Sequence, residues 1–153
     1  MSDRDEQLNQ LLKALYDCIS FPEGGEPGWA RMNAIFHPKA RLTRITPEGI
    51  EHFDLENFKA MALEMLNIGV YTSFVESEIA RRQHVFGSVA HVLSAYEVRR
   101  SIDAKACLAR GVNSIQLLWS GFAWQVLSLL WDEETESNRL NVARVFALEN
   151  AIG

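Results

Sequence analysis

Four long β-rich runs, residues 70–86, 89–100, 106–119 and 122–132, follow one another with only short breaks. The breaks fall at Gly87-Ser88, at Ser101-Ile102-Asp103-Ala104 and at Ser120-Gly121. Strands joined this tightly pair as consecutive antiparallel hairpins. A meander of that length needs cover for one of its faces, and most of the chain's remaining material lies before it.

That material reads as helix. Leu8, Leu11, Leu12, Leu15 and Ile19 recur at helical spacing, so residues 4–20 form one amphipathic helix with Tyr16 beside its apolar stripe. Pro22 to Gly28 is loop by composition. Trp29, Met32, Ile35 and Phe36 then give a short second helix ending before Pro38. Residues 40–46 alternate as a strand does, and the following Gly49-Ile50-Glu51-His52 reads as loop. A third helix opens at Asp54, an N-cap, with Phe53 and Phe58 spaced as a hydrophobic staple, and Asn67 to Gly69 closes it. Helices first and a meander afterwards is the pattern of an α+β domain whose helices cover one face of a curved antiparallel sheet. One domain is expected over residues 1–132, with residues 133–153 a weakly helical extension.

Composition narrows the function classes. The chain has 153 residues, 48% hydrophobic, with 15 Lys and Arg against 20 Asp and Glu. A mildly acidic chain without a basic block is not expected to bind nucleic acid, and nothing marks an anionic membrane surface as a partner. No apolar run approaches the ~20 residues needed to span a bilayer, and the segment from Met1 to Glu6 is acidic where a signal peptide would be basic. A cytoplasmic location follows as the expectation. In a reducing compartment Cys18 and Cys107, in no ligand spacing, are expected as small buried thiols. The chain has no phosphate loop, HExxH or nucleophile elbow, so no cofactor and no metal are expected.

Strand phase follows from the turns. With Ser120-Gly121 as a tight turn, Ile115, Leu117, Trp119, Trp124 and Val126 share one surface that is almost wholly apolar. The other surface pairs Gln116 with Gln125, Ser114 with Leu127 and Val112 with Leu129, and continues to Trp131. A mixed surface suits a ligand pocket, and an apolar one suits protein contact. The expectation is therefore a pocket on the Gln116, Gln125 and Trp131 side and a homodimer through the Ile115, Leu117, Trp119, Trp124 and Val126 face. The same rule at Gly87-Ser88 sets His84 opposite His91, with Leu93, Ala95, Glu97 and Arg99 sharing the surface of His91. His84 and His91 are expected as rim histidines rather than metal ligands, because no third ligand is placed beside them.

The order of elements, ending in the strands Gly111 to Leu117 and Trp124 to Trp131, resembles the nuclear transport factor 2-like superfamily over about residues 5–132. The likeness is strongest to its bacterial branch of ketosteroid isomerases and polyketide cyclases, where many members have no assigned function. It implies a cone in which a curved sheet and N-terminal helices enclose a pocket, with the outer sheet face making a dimer. It also implies that the set of His91, Leu93 and Glu97 points inside along with Trp131, and that Tyr16 stands where the isomerases carry a hydrogen-bonding Tyr. The isomerase general base falls near Arg44 and its second pocket carboxylate near Gln116. Neither side chain can abstract a proton, so isomerase chemistry by that mechanism is not expected.

Together these readings point to a protein that binds a small organic molecule in a mostly apolar pocket, with isomerisation, cyclisation, hydration or dehydration as the reactions open to it. Tyr16, Gln116 and Gln125 are the candidate hydrogen-bonding groups, Trp131 and Leu93 the apolar wall, and Arg44 an anion clamp. Glu97 and His91 are the candidate proton carriers, although Arg99 or Arg82 would make Glu97 a plain ion pair. The competing reading is a non-catalytic dimeric protein-interaction domain that works through its outer sheet face.

Overall fold

A computed structural model describes residues 3–146. The N-terminal apolar stripe becomes α1 (Asp3–Ile19), which buries Leu8, Leu12, Leu15, Tyr16 and Cys18. After the Pro and Gly loop comes α2 (Trp29–Ile35). Its end passes directly into β1 (Phe36–Thr46), so Phe36 is the first strand residue rather than the last helical one. β2 (Gly49–Phe53) pairs with β1, Thr43 opposite His52. The 49–52 stretch expected as loop is thus an edge strand. Asp54 caps α3 (Leu55–Asn67) by accepting from the Asn57 N–H at 2.8 Å, and the Phe53 and Phe58 rings meet edge to face as the staple requires.

The meander consists of β3 (Val75–Phe86), β4 (Val89–Arg99), β5 (Ala109–Trp119) and β6 (Trp124–Glu133). The six strands order as β2-β1-β6-β5-β4-β3. All neighbours are antiparallel except β1 and β6, which run parallel because β1 enters beside the last strand to be made. Gly87, at φ +57, allows the two-residue turn that sets Phe86 against Val89 and His84 against His91. After β6 the Glu134 N–H still donates to the Arg110 carbonyl at 2.6 Å, the chain turns back where Thr135 pairs with Asn138, and it reaches the short α4 (Val142–Val145). The extension expected as weakly helical therefore begins with the last residue of β6, and its residues 147–153 lie outside those described.

Two details of register determine which side chains face the helices. The last hairpin turns through four residues, 120–123, so Trp119 pairs with Trp124 and Leu117 with Val126. β6 then skips Leu127, and Ile115 pairs with Leu129 and Asn113 with Trp131. A bulge of this kind inverts the phase of everything beyond it. Trp131 thereby joins the face of Ile115 and leaves that of Gln116. A second bulge, at Ile79, does the same in β3, so that Glu76 and Glu78 share a face with Gln83.

The apolar row expected to form a dimer is the floor of the core. Ile115 and Val126 are 0% exposed, Trp124 1% and Leu117 3%, packed in one cluster with Leu8, Leu12 and Met32 of the helices. Trp119 packs against the same cluster. The expected dimer face is corrected on physical grounds: an all-apolar sheet face recovers most free energy when the chain's own amphipathic helices cover it. Among the described residues no helix is long and apolar enough to cross a membrane.

Candidate functional site

The helices do not fill the whole inner face. Toward the β1 and β6 end, α3 stands off the sheet and leaves a cavity of about 280 Å³. Its walls are apolar. Phe58, Met61, Met65 and Leu66 come from α3, Leu15 and Ile19 from α1, and Leu42, Leu129 and Trp131 from the sheet. Phe58 meets Trp131 edge to face at 6.0 Å, which closes one side. The segment leading into β3 supplies Val70, Tyr71 and Phe74, and Phe21 stacks on Phe74.

Few polar groups interrupt this lining. Arg44, Glu133 and Tyr71 form one group, and Glu76, Asn113 and Tyr96 the other. Arg44 lies opposite Trp131 in the β1–β6 ladder and 3.7 Å from Glu51. Its charge opposes the rise that burial and Asp132 impose on Glu133. The Tyr71 hydroxyl is raised by burial and by Glu133.

Glu76 is the chemically distinctive group. It lines the cavity, and burial pushes its carboxyl up to about 8 against an ordinary 4.5. A hydrogen bond from Asn113 works in the opposite direction, favouring the ionised form, and the negative charge of Glu133 adds to the rise. Asn113, 5% exposed, also donates to the Tyr16 hydroxyl at 3.1 Å, which in turn lies 2.6 Å from Ser94 Oγ. Burial raises both Tyr16 and Tyr96 well above the usual tyrosine range, so both remain neutral phenols at physiological pH. Burial likewise takes Cys18 up to about 12 and removes it as a nucleophile, whereas Cys107 is exposed, contrary to expectation.

Of the residues read from sequence, Arg44 and Trp131 line this cavity, and Tyr16 stands one hydrogen bond behind it through Asn113. The others lie elsewhere. Leu93, His91 and Glu97 of β4 alternate with the buried Val92, Ser94 and Tyr96 and so occupy the outer face. Gln116 lies opposite His91 on that same face, and Gln125 pairs with the outward Leu118. Glu97 forms an ion pair with Arg99 at 3.0 Å. The cause of the displacement is the exchange of faces: with the apolar row inside, the residues assigned to the mixed surface move outside, except where the Leu127 bulge returns Leu129 and Trp131. His84 and His91 face each other as expected, and among the described residues no three His, Cys, Asp or Glu side chains converge as metal ligands.

Glu76, Asn113 and Tyr96 escaped the sequence reading. Asn113 carried a usable signal, being the one amide in the row Gly111, Asn113, Ile115, Leu117. Glu76 carried none, because its direction depends on the bulge three residues later. Gly111 is explained by Tyr96, its partner in the ladder. A Cβ there would sit 2.5 Å from the Asp132 carbonyl oxygen and 2.5 Å from the Tyr96 hydroxyl. Gly111→Ala should therefore push Tyr96 into the cavity and cost about 2 kcal/mol. Urea denaturation checks this, and an unchanged midpoint would count against so close an approach of Tyr96 to the strand.

No protein-family model and no curated protein matches the chain. Solved structures do. A cystatin-like-fold protein of unknown function from Nostoc punctiforme aligns at 11% identity over 86% of this chain and 92% of its own, with a TM-score of 0.67. A nuclear transport factor 2-like protein of unknown function from Silicibacter pomeroyi aligns at 15% identity over 88% and 100%, with a TM-score of 0.61. A candidate Ca/calmodulin-dependent kinase II association domain from Exiguobacterium sibiricum aligns at 15% identity over 88% and 96%, with a TM-score of 0.63. At such identities the likeness speaks for architecture alone. The α+β cone, with its helices over one face of a curved six-stranded sheet, is the nuclear transport factor 2-like, or cystatin-like, fold.

Proposed function

We propose that the cavity binds a small, largely apolar organic molecule and that Glu76 exchanges a proton with it. The observation that carries this reading is the placement of the Glu76 carboxyl beside the Asn113 amide at one end of a cavity, with Arg44 and Glu133 at the other and a wall that is otherwise aliphatic and aromatic. The apolar wall takes up the carbon skeleton. Asn113 is placed to orient an oxygen substituent, and Arg44 an anionic one at the other end. A carboxyl that titrates near neutrality is present in both forms at physiological pH, so it can take a proton from carbon or oxygen and return it elsewhere on the same molecule. Isomerisation, cyclisation and reversible loss of water all have that requirement. The cavity is open space rather than an aliphatic plug, which favours ligand binding over a purely protein-contacting role.

The test uses 2-naphthol, an aromatic skeleton with one hydroxyl, and follows the fluorescence of the protein's tryptophans. Binding with a Kd of about 1 mM or tighter is expected for a ligand of this size. Met65→Trp, which fills the cavity from α3, should abolish it. Binding that survives Met65→Trp, or no binding at all together with no ligand retained in native mass spectrometry, would overturn the proposal.

A further inference from the structure

Behind Glu76 a series of buried polar side chains crosses the sheet to its β3 edge. At the far end Arg81 holds Glu78 through Nη2 to Oε1 at 2.7 Å and through Nε to Oε1 at 3.0 Å and to Oε2 at 3.1 Å, and Arg81 also reaches Asn9 of α1. A carboxylate held this way can only accept further hydrogen bonds. Ser94 Oγ contacts its other oxygen, Oε2, so the serine proton is committed there. Ser94 must then accept from the Tyr16 hydroxyl at 2.6 Å, and Tyr16, its own proton spent, must accept from Asn113 Nδ2 at 3.1 Å. Ser94 is 0%, Asn113 5% and Tyr16 6% exposed, so bulk water has almost no access to these three, whereas Glu78 at the edge is partly exposed.

We propose that Glu78, Ser94, Tyr16 and Asn113 form a one-directional hydrogen-bond chain, anchored by Arg81, that fixes which end of the Asn113 amide faces Glu76. Each hydroxyl has one proton to give, and the acceptor at the edge dictates where every one of them goes. Asn113 is thereby locked with its NH₂ group turned toward Tyr16 and Glu76. Glu78, Ser94 and Tyr16 act as positioning residues, since none of the three lines the main cavity. Several other groups also act on Glu76 or respond to its charge: Glu133 of β6, Tyr96 of β4, Tyr16 and Cys18 of α1, and Tyr71 before β3. Not one of them determines the sense of the amide except through Tyr16.

Glu78→Gln separates this chain from simple electrostatics because the two predict opposite signs. Residues 76 and 78 lie ~7 Å apart along the strand. Removing a negative charge at that distance, with nothing else changed, would lower the pKa of Glu76. In the variant, the Oε1 position, which takes the two shorter Arg81 bonds against one at 3.1 Å to Oε2, keeps the amide oxygen, and the new NH₂ turns toward Ser94 and becomes a donor. Ser94 then donates to Tyr16, Tyr16 donates to Asn113, and the Asn113 amide flips to present oxygen to Glu76. The Glu76 carboxyl, followed by side-chain carbon NMR across pH, should titrate about one pH unit higher than in the parent. Ser94→Ala, which leaves Tyr16 only Asn113 to donate to, should move it the same way. A lower or unchanged Glu76 titration in Glu78→Gln would overturn the proposal. The chain's mechanistic meaning rests on Glu76 as the proton-bearing group of the cavity. The titration is read without ligand, so failure of 2-naphthol binding and failure of the chain are separate results.

Discussion

Glu76→Gln should make the protein more stable than its parent at pH 9 and leave it nearly unchanged at pH 4.5. The sign follows from linkage. Glu76 binds its proton more tightly in the folded state, at about 8, than in the unfolded state, near 4.5. Its contribution to stability is therefore fully present below pH 4.5, declines as pH rises, and is gone once pH has passed 8. The whole displacement is worth on the order of 5 kcal/mol, because each pH unit corresponds to about 1.36 kcal/mol. Gln has nearly the same shape, can hydrogen-bond to Asn113 and never ionises, so it escapes the loss. In a protein of this size the difference at pH 9 should appear as a melting temperature higher by roughly 10 °C. Melts at pH 5, 7 and 9 check the prediction, and a parent and variant separated equally at all three would show that Glu76 binds its proton no more tightly in the folded state than in the unfolded one. The Glu76→Gln variant should also retain 2-naphthol, since the apolar wall is untouched.

The elements were legible in the sequence because each is encoded locally. The stripe from Leu8 to Ile19 forms α1, Asp54 caps α3, and Gly87-Ser88 turns with the expected register of His84 against His91. β2 was missed because Gly49-Ile50-Glu51-His52 has no apolar alternation to show. All four of its residues from Gly49 to His52 are exposed, and pairing with β1 alone makes the strand. The facing of the sheet was not legible, for two physical reasons. The composition of a strand face does not say what covers it: Ile115, Leu117, Trp124 and Val126 are equally suited to helices and to a second subunit. A bulge leaves little trace in the residues that form it, and Leu127 and Ile79 are ordinary apolar strand residues. Those two skips moved Trp131 and Glu76 to the cavity side. Arg44 was placed by resemblance, since alternation in one short strand could not fix its face, and it does line the cavity.

The exchange of faces has a direct consequence at Trp124. Its side chain is 1% exposed, its ring meets Trp119 edge to face at 5.6 Å, and its indole N–H donates to the Arg4 carbonyl at 2.9 Å. Arg4 in turn lies over the Trp119 ring at 4.7 Å. Trp124 thus ties the first turn of α1 to the far end of the sheet, where the hairpin tips carry exposed Phe86 and Phe122. Trp124→Ala removes a large core side chain, leaves a cavity beneath Leu8 and Leu12, and deletes the bond to Arg4. The expected cost is about 3–5 kcal/mol, a large part of the roughly 5–15 kcal/mol typical of a whole domain. Trp124→Phe keeps most of the packing and should lose about half as much. Urea unfolding at two protein concentrations roughly a hundredfold apart distinguishes core from interface. A core substitution lowers stability equally at both concentrations, because the packing it removes lies within one chain. Were Trp124 an interface residue, the parent itself would become more stable with concentration and the variant would not. A destabilisation that grows with protein concentration would therefore return the apolar row to the surface, and the cavity with Glu76 would lose the helices that enclose it.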